Sequence, residues 1–103
     1  MLQFLLLTIM LQVRVDHQRC NPLLLMYITL PVAYRHVDAD RLLVRANRSG
    51  TRLTVVCEQY CHHVDEDQLN EQFTLPVTVD PYAVTARLEH DGVLVIEAPV
   101  VVL

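Results

Sequence analysis

A chain of 103 residues has material for one hydrophobic core and not for two. With 52% apolar residues, 6% aromatic and no Trp, that core has to be packed from aliphatic side chains, as in a β-sandwich interior built on Val and Leu. A net charge of −4 argues against nucleic acid as a partner, because phosphate binding asks for a net basic surface.

In chain order, residues 1–12 (MLQFLLLTIMLQ) are apolar but too short to span a bilayer. No basic residue precedes them and no small-x-small cleavage pattern follows before Arg14, which speaks against a secretory signal. Residues 1–22 are therefore set apart as a hydrophobic arm, with a signal segment or a stretch foreign to the domain as alternatives, and 23–103 as the folded domain. Asn21-Pro22 marks a turn. Leu23 to Leu30 is a continuous apolar run that reads as a buried strand, and from Ile28 an alternation of Ile28, Leu30, Val32 and Tyr34 extends it, with Pro31 implying an edge or a bulge.

His36 to Asp40 is a polar connection. Arg41 to Ala46 alternates with Leu42, Val44 and Ala46 inward, and Asn47-Arg48-Ser49-Gly50 is a turn by composition and also a glycosylation sequon. Arg52 to Glu58 places Leu53, Val55 and Cys57 on one face. After a polar loop over Tyr60 to Asp67, Leu69 to Leu75 places Leu69, Glu71, Phe73 and Leu75 on one face. Pro76 and Pro81 belong to a loop, since neither can donate to a ladder. Val84 to Glu89 alternates with Val84, Ala86 and Leu88 on one face, and Val93 to Ala98 with Leu94, Ile96 and Ala98 on one face and Val93, Val95 and Glu97 on the other; Asp91-Gly92 between them supplies the positive φ of a tight hairpin. About seven short strands with no helical period predict an all-β, immunoglobulin-like sandwich of antiparallel strands.

Few residues carry chemistry. Cys57, Cys61, His62 and His63 are the one concentration of soft metal ligands, beside Asp65 to Asp67, but their spacing matches no zinc finger and alternation turns Cys57 inward. Three cysteines make no disulfide framework, and reduced thiols are expected. Ser49 is the only serine and lies in a turn, Gly50 and Gly92 are the only glycines, and His17, His36 and His90 are scattered. No nucleophile elbow or phosphate-cradling loop can be assembled, so neither an enzyme nor a cofactor is expected.

Leu75-Pro76, Val79-Asp80-Pro81, Ala86-x-Leu88, Asp91-Gly92-Val93-Leu94 and Ala98-Pro99, in that order, resemble the second half of an α-crystallin domain, the core of the small heat-shock proteins. The likeness extends over roughly residues 28–99. It implies an ATP-independent holdase that binds unfolding client proteins and prevents their aggregation. It also implies self-association as a dimer or larger oligomer; a cytoplasmic location is expected from the reduced thiols, and the charge and the short apolar runs leave no nucleic-acid or membrane partner expected. By the same resemblance, Leu42, Val44, Val84 and Leu88 line a groove for an isoleucine-x-isoleucine tail, while Leu69, Glu71 and Phe73 lie at the dimer interface. Three features depart from the family: Glu71 stands where a basic residue is usual, the loop Tyr60–Gln68 is short, and the customary extension after the domain is missing, with Val100 to Leu103 as an imitation of it. An Arg partner for Glu71, either Arg52 or Arg87, is expected. A CS-domain-type co-chaperone and a metal-buffering protein built on Cys57, Cys61, His62 and His63 are the alternatives.

Overall fold

The computed structural model describes residues 10–16, 21–31, 34, 37–57, 69–89 and 91–101. Within them the chain forms strands β1 (Met10–Asp16), β2 (Leu23–Thr29), β3 (Leu42–Ala46), β4 (Arg52–Cys57), β5 (Leu69–Thr74), β6 (Thr85–Leu88) and β7 (Val93–Pro99). They build two antiparallel sheets, one in the order β1-β2-β7-β6 and the other β3-β4-β5. A short 3-10 turn, Ala39–Arg41, leads into β3. No helix among the described residues is long and apolar enough to cross a membrane.

The period of two sets the core. Leu24, Met26, Ile28, Leu94, Ile96 and Ala98 face inward from one sheet, and Leu53, Val55, Cys57 and Leu69 face them from the other. Each fully buried aliphatic of this kind contributes about 1.5–3 kcal/mol of transfer free energy. Leu42, Val44 and Ala46 are half-buried against the same core, because β3 is an outer strand with cover on one side only.

Three expectations need revision. Met10–Asp16, assigned above only to an apolar arm, is a strand paired along its whole length with β2, from Met10 opposite Thr29 to Asp16 opposite Leu23. The alternation of Ile28 to Tyr34 does not continue as one strand. Leu30 N still donates to Gly92 O at 2.9 Å, but then Tyr34 N donates to Pro31 O at 2.8 Å, closing a turn. Pro31 ends the strand because it has no N–H to offer, and β2 is a central strand, not an edge. Val95, expected on the outer face of β7, is buried: β7 is also central, and Val95 lies between Tyr27 and Arg87 across the two ladders. Ala86 keeps the face it shares with Val84 and Leu88 but is exposed, because β6 is an outer strand.

The hairpin between β6 and β7 closes as the Asp91-Gly92 pair predicts. Gly92 has φ 76, its N–H donates to Glu89 O at 3.1 Å, and Glu89 N donates to Val93 O at 2.8 Å. The turn between β3 and β4 is held by Asn47. Its Oδ1 accepts from the N–H groups of Thr51 and Arg52 at 2.9 and 3.0 Å, and its Nδ2 donates to Thr51 Oγ1 at 3.0 Å. Asn47 therefore has a folding role independent of the sequon it belongs to. Asn47→Ala leaves two backbone donors to water and is expected to cost about 1–2 kcal/mol, read from urea unfolding. A loss below about 0.5 kcal/mol would mean that solvent replaces the side chain in full.

The same turn reaches the other sheet. Gly50, at φ 70, accepts from Val79 N at 2.9 Å, and Thr51 O accepts from Leu75 N at 2.9 Å. Val79 in turn forms a bridge with Val100, just beyond β7. Asp80 N donates to Pro99 O at 2.9 Å and Val101 N to Thr78 O at 2.8 Å. The loop of Pro76 and Pro81 is thus a clasp between the two sheets. It also holds Val100 and Val101, the start of the segment considered above as an imitation tail, against the domain's own backbone.

Candidate functional site: a groove between two outer strands

Antiparallel ladders alternate, so each residue of an outer strand directs its backbone groups either into the sheet or away from it. Glu89 N donates to Val93 O, while Leu30 N donates to Gly92 O and Val100 N to Pro22 O. Odd-numbered residues of β7 therefore bond towards β6, and Val84, Ala86 and Leu88 direct their N–H and C=O groups outward. Asn47 N donates to Arg52 O at 3.1 Å, which by the same rule turns the backbone groups of Leu42, Val44 and Ala46 away from β4; the N–H of Leu42 is taken by Ala39 O, so the free edge of β3 is chiefly that of Val44 and Ala46.

These two free edges meet. A groove of about 270 Å³ runs between β3 and β6, lined by Leu42, Leu43 and Val44 on one side and Val84, Ala86, Arg87 and Leu88 on the other, with Ala39 and Leu94 completing it. All four residues expected to line a groove, Leu42, Val44, Val84 and Leu88, are brought together there. Leu94 and Ala86 were not among them, although Leu94 lies directly opposite Leu88 in the hairpin register and Ala86 sits between Val84 and Leu88. Both were legible from the same alternation. The volume falls just below the roughly 300–1,000 Å³ of small-molecule sites. A few aliphatic side chains of an extended peptide suit it better, flanked by unpaired backbone groups on both walls.

Arg87 gives one rim its charge. Its Nη1 donates to Glu97 Oε1 at 3.1 Å and its Nε to Glu89 Oε2 at 3.2 Å. The bond to Glu97, and then that to Glu89, raise the guanidinium pKa above its ordinary value, so the group stays charged throughout the working pH range. The pairs are exposed and orient the side chain more than they stabilise the fold.

Leu69, Glu71 and Phe73, expected at a dimer interface, lie on β5, the other outer strand of the three-stranded sheet. All three turn towards the core side: Leu69 is buried, Glu71 and Phe73 half-buried. Leu75 N bonds to Thr51 O, so the backbone groups facing away from β4 are those of Asn70, Gln72 and Thr74. The expected Arg partner for Glu71 is not found. Arg87 is engaged in the other sheet, and Arg52 stands opposite Thr74 on the outer face while Glu71 stands opposite Val55 on the inner one. Among the described residues no cation meets Glu71.

Cys57 is in no disulfide and is buried in the core, as its alternation predicts. Cys61, His62 and His63 lie outside the described residues, and among the described ones no group of three or more His, Cys, Asp or Glu side chains comes together.

A family model described as "Hsp20/alpha crystallin family" matches residues 35–102. The chain belongs to that family. The sandwich is likewise similar to the crystal structure of a small heat-shock protein from Xylella fastidiosa, with a TM-score of 0.58 at 20% identity, covering 91% of this chain and 88% of that one. That structure is described as having a distinct high order structure. No curated protein matches the chain. As an Hsp20 member, the chain matches its family along nearly the stretch that carried the resemblance, from the connection before β3 to the end of β7 and just beyond.

Proposed function

We propose that this Hsp20-family chain is an ATP-independent holdase that binds segments of unfolding proteins and keeps them from aggregating. The observation that carries the reading is the β3–β6 groove, where Val44, Val84 and Leu88 offer apolar side chains and outward backbone groups together. An extended client segment or tail gains main-chain hydrogen bonds from such an edge while the pockets select its side chains. Nothing in this action calls for bond-making chemistry or a cofactor. Self-association into a dimer or larger assembly belongs to the same reading, as does a cytoplasmic location, supported by the expectation of reduced thiols. Clients and further copies of the chain are the partners, not nucleic acid or a membrane. The family match favours this reading over a CS-domain-type co-chaperone.

The test joins light scattering of a heated client with NMR titration of a short isoleucine-x-isoleucine peptide. Client aggregation is suppressed, and the peptide shifts the signals of Leu42, Val44, Val84 and Leu88. Val44→Glu puts a carboxylate into the apolar slot and weakens peptide binding by about tenfold or more. Shifts that cluster on Leu69 to Leu75 instead would move the binding edge to β5 and sink the assignment.

A further inference from the structure

The outer face of the three-stranded sheet is made by the side chains that alternation turns away from the core. On β3 these are Leu43 and Arg45, on β4 Arg52, Thr54 and Val56, and on β5 only uncharged polar residues. In a chain of net charge −4, the three strands thus put cations and no carboxylate on this face. Arg45 stands opposite Thr54, and Arg52 lies two residues before Thr54, so the two arginines share a diagonal of the ladder. Diagonal neighbours are about 7–8 Å apart, near enough for like charges to repel. Arg48 follows in the turn between them. All three are exposed, and none is ion-paired among the described residues. Arg87, on the opposite wall of the groove, differs, because Glu97 and Glu89 already hold it.

This cationic face adjoins the groove. Leu43 belongs to it, is 39% exposed, and also lines the groove. Because Val44 directs its backbone groups outward, a strand added antiparallel to β3 forms a hydrogen-bonded pair with Val44 and non-hydrogen-bonded pairs with Leu43 and Arg45. The residue opposite Val44 turns into the apolar slot, and its two neighbours turn to the outer face. Non-hydrogen-bonded pairs bring Cα atoms to about 4.5 Å, with their side chains in close reach. We propose that Arg45 is a specificity-determining residue of the groove, which takes extended segments whose apolar-x-apolar pair is immediately preceded by an acidic residue. The two apolar residues stand opposite Val44 and Leu42, the residue between them opposite Leu43, and the acid opposite Arg45. Antiparallel addition continues the pairing of every ladder among the described residues. Arg48 and Arg52 add positive potential on the side from which the acid approaches. The inference rests on the groove reading above and names the chemistry of its occupant.

Three peptides that differ only in the residue before an isoleucine-x-isoleucine pair, which is Glu, Gln or Lys, are titrated into the full chain and into Arg45→Gln by calorimetry at low and high salt. An exposed cross-strand ion pair is a modest interaction, so the parent binds the Glu peptide about two- to fivefold more tightly than the Gln peptide. The Lys peptide is weaker again by a similar factor, since it brings a like charge to Arg45. Arg45→Gln removes an exposed side chain that holds no ion pair among the described residues, and it abolishes the ranking. High salt narrows the ranking in the parent, as screening requires. Equal affinity for the three peptides, a preference for Lys, or a ranking that survives Arg45→Gln or high salt overturns the proposal. Equal affinity with NMR shifts at Val44, Val84 and Leu88 leaves the groove reading standing. Failure of all three peptides to bind removes the groove reading and the proposal together.

Discussion

Gly50→Ala is expected to be the most damaging single methyl group that can be added to this protein, at about 3 kcal/mol or more. Two costs combine. At φ 70 a side chain strains the backbone by about 1–3 kcal/mol. A Cβ at this position would also lie well inside the contact distance of the Val79 carbonyl oxygen, and crowd the Val79 backbone carbon and nitrogen. That neighbour cannot yield freely, because Val79 is fully buried, bonded to Gly50 O and bridged to Val100. The substitution therefore opens the clasp between the sheets instead of bending one turn. Gly50→Asn separates the two causes. Asn tolerates the left-handed region but carries the same Cβ, so it is expected to be nearly as damaging. An Asn variant close to the parent in urea unfolding would show that the close approach to Val79 has been overstated.

Leu94→Ala is expected to cost about 2–5 kcal/mol, the range for large-to-small changes in a closed core. Leu94 is 2% exposed, pairs with Ile28 on one side and Leu88 on the other, and forms part of the groove. Its truncation acts twice, by removing packing between the sheets and by hollowing the wall on which a bound strand would rest. Peptide affinity at the groove should fall together with stability. A loss below about 1 kcal/mol, typical of a surface position, would place the other face of β7 inward.

The alternating side-chain period determined which face of β3, β4, β5 and β7 turns inward, since a strand has only two faces and a one-residue slip exchanges them. Leu53, Val55, Cys57, Leu94, Ile96 and Ala98 were legible on that ground alone, and Gly92 through the positive φ of its hairpin. The groove residues Leu42, Val44, Val84 and Leu88 were named from family resemblance, and alternation by itself shows only that they are inward. Their meeting in one groove depends on two outer strands of different sheets coming side by side, which no local pattern encodes. Neighbourhood likewise decided Val95, buried on an outer face because β7 has a strand on both sides. It decided β1 as well: the alternation of Leu11, Val13 and Val15 with Gln12, Arg14 and Asp16 is present in the sequence, but the apolar run before it hides the start of a strand. At Glu71 alternation gave the face correctly, whereas the lack of a nearby cation among the described residues is a matter of which strands end up adjacent. Gly50 marks the limit most sharply. Composition identifies a turn there, but the need for glycine in particular comes from the Val79 carbonyl, which arrives from a distant loop only when the two sheets close.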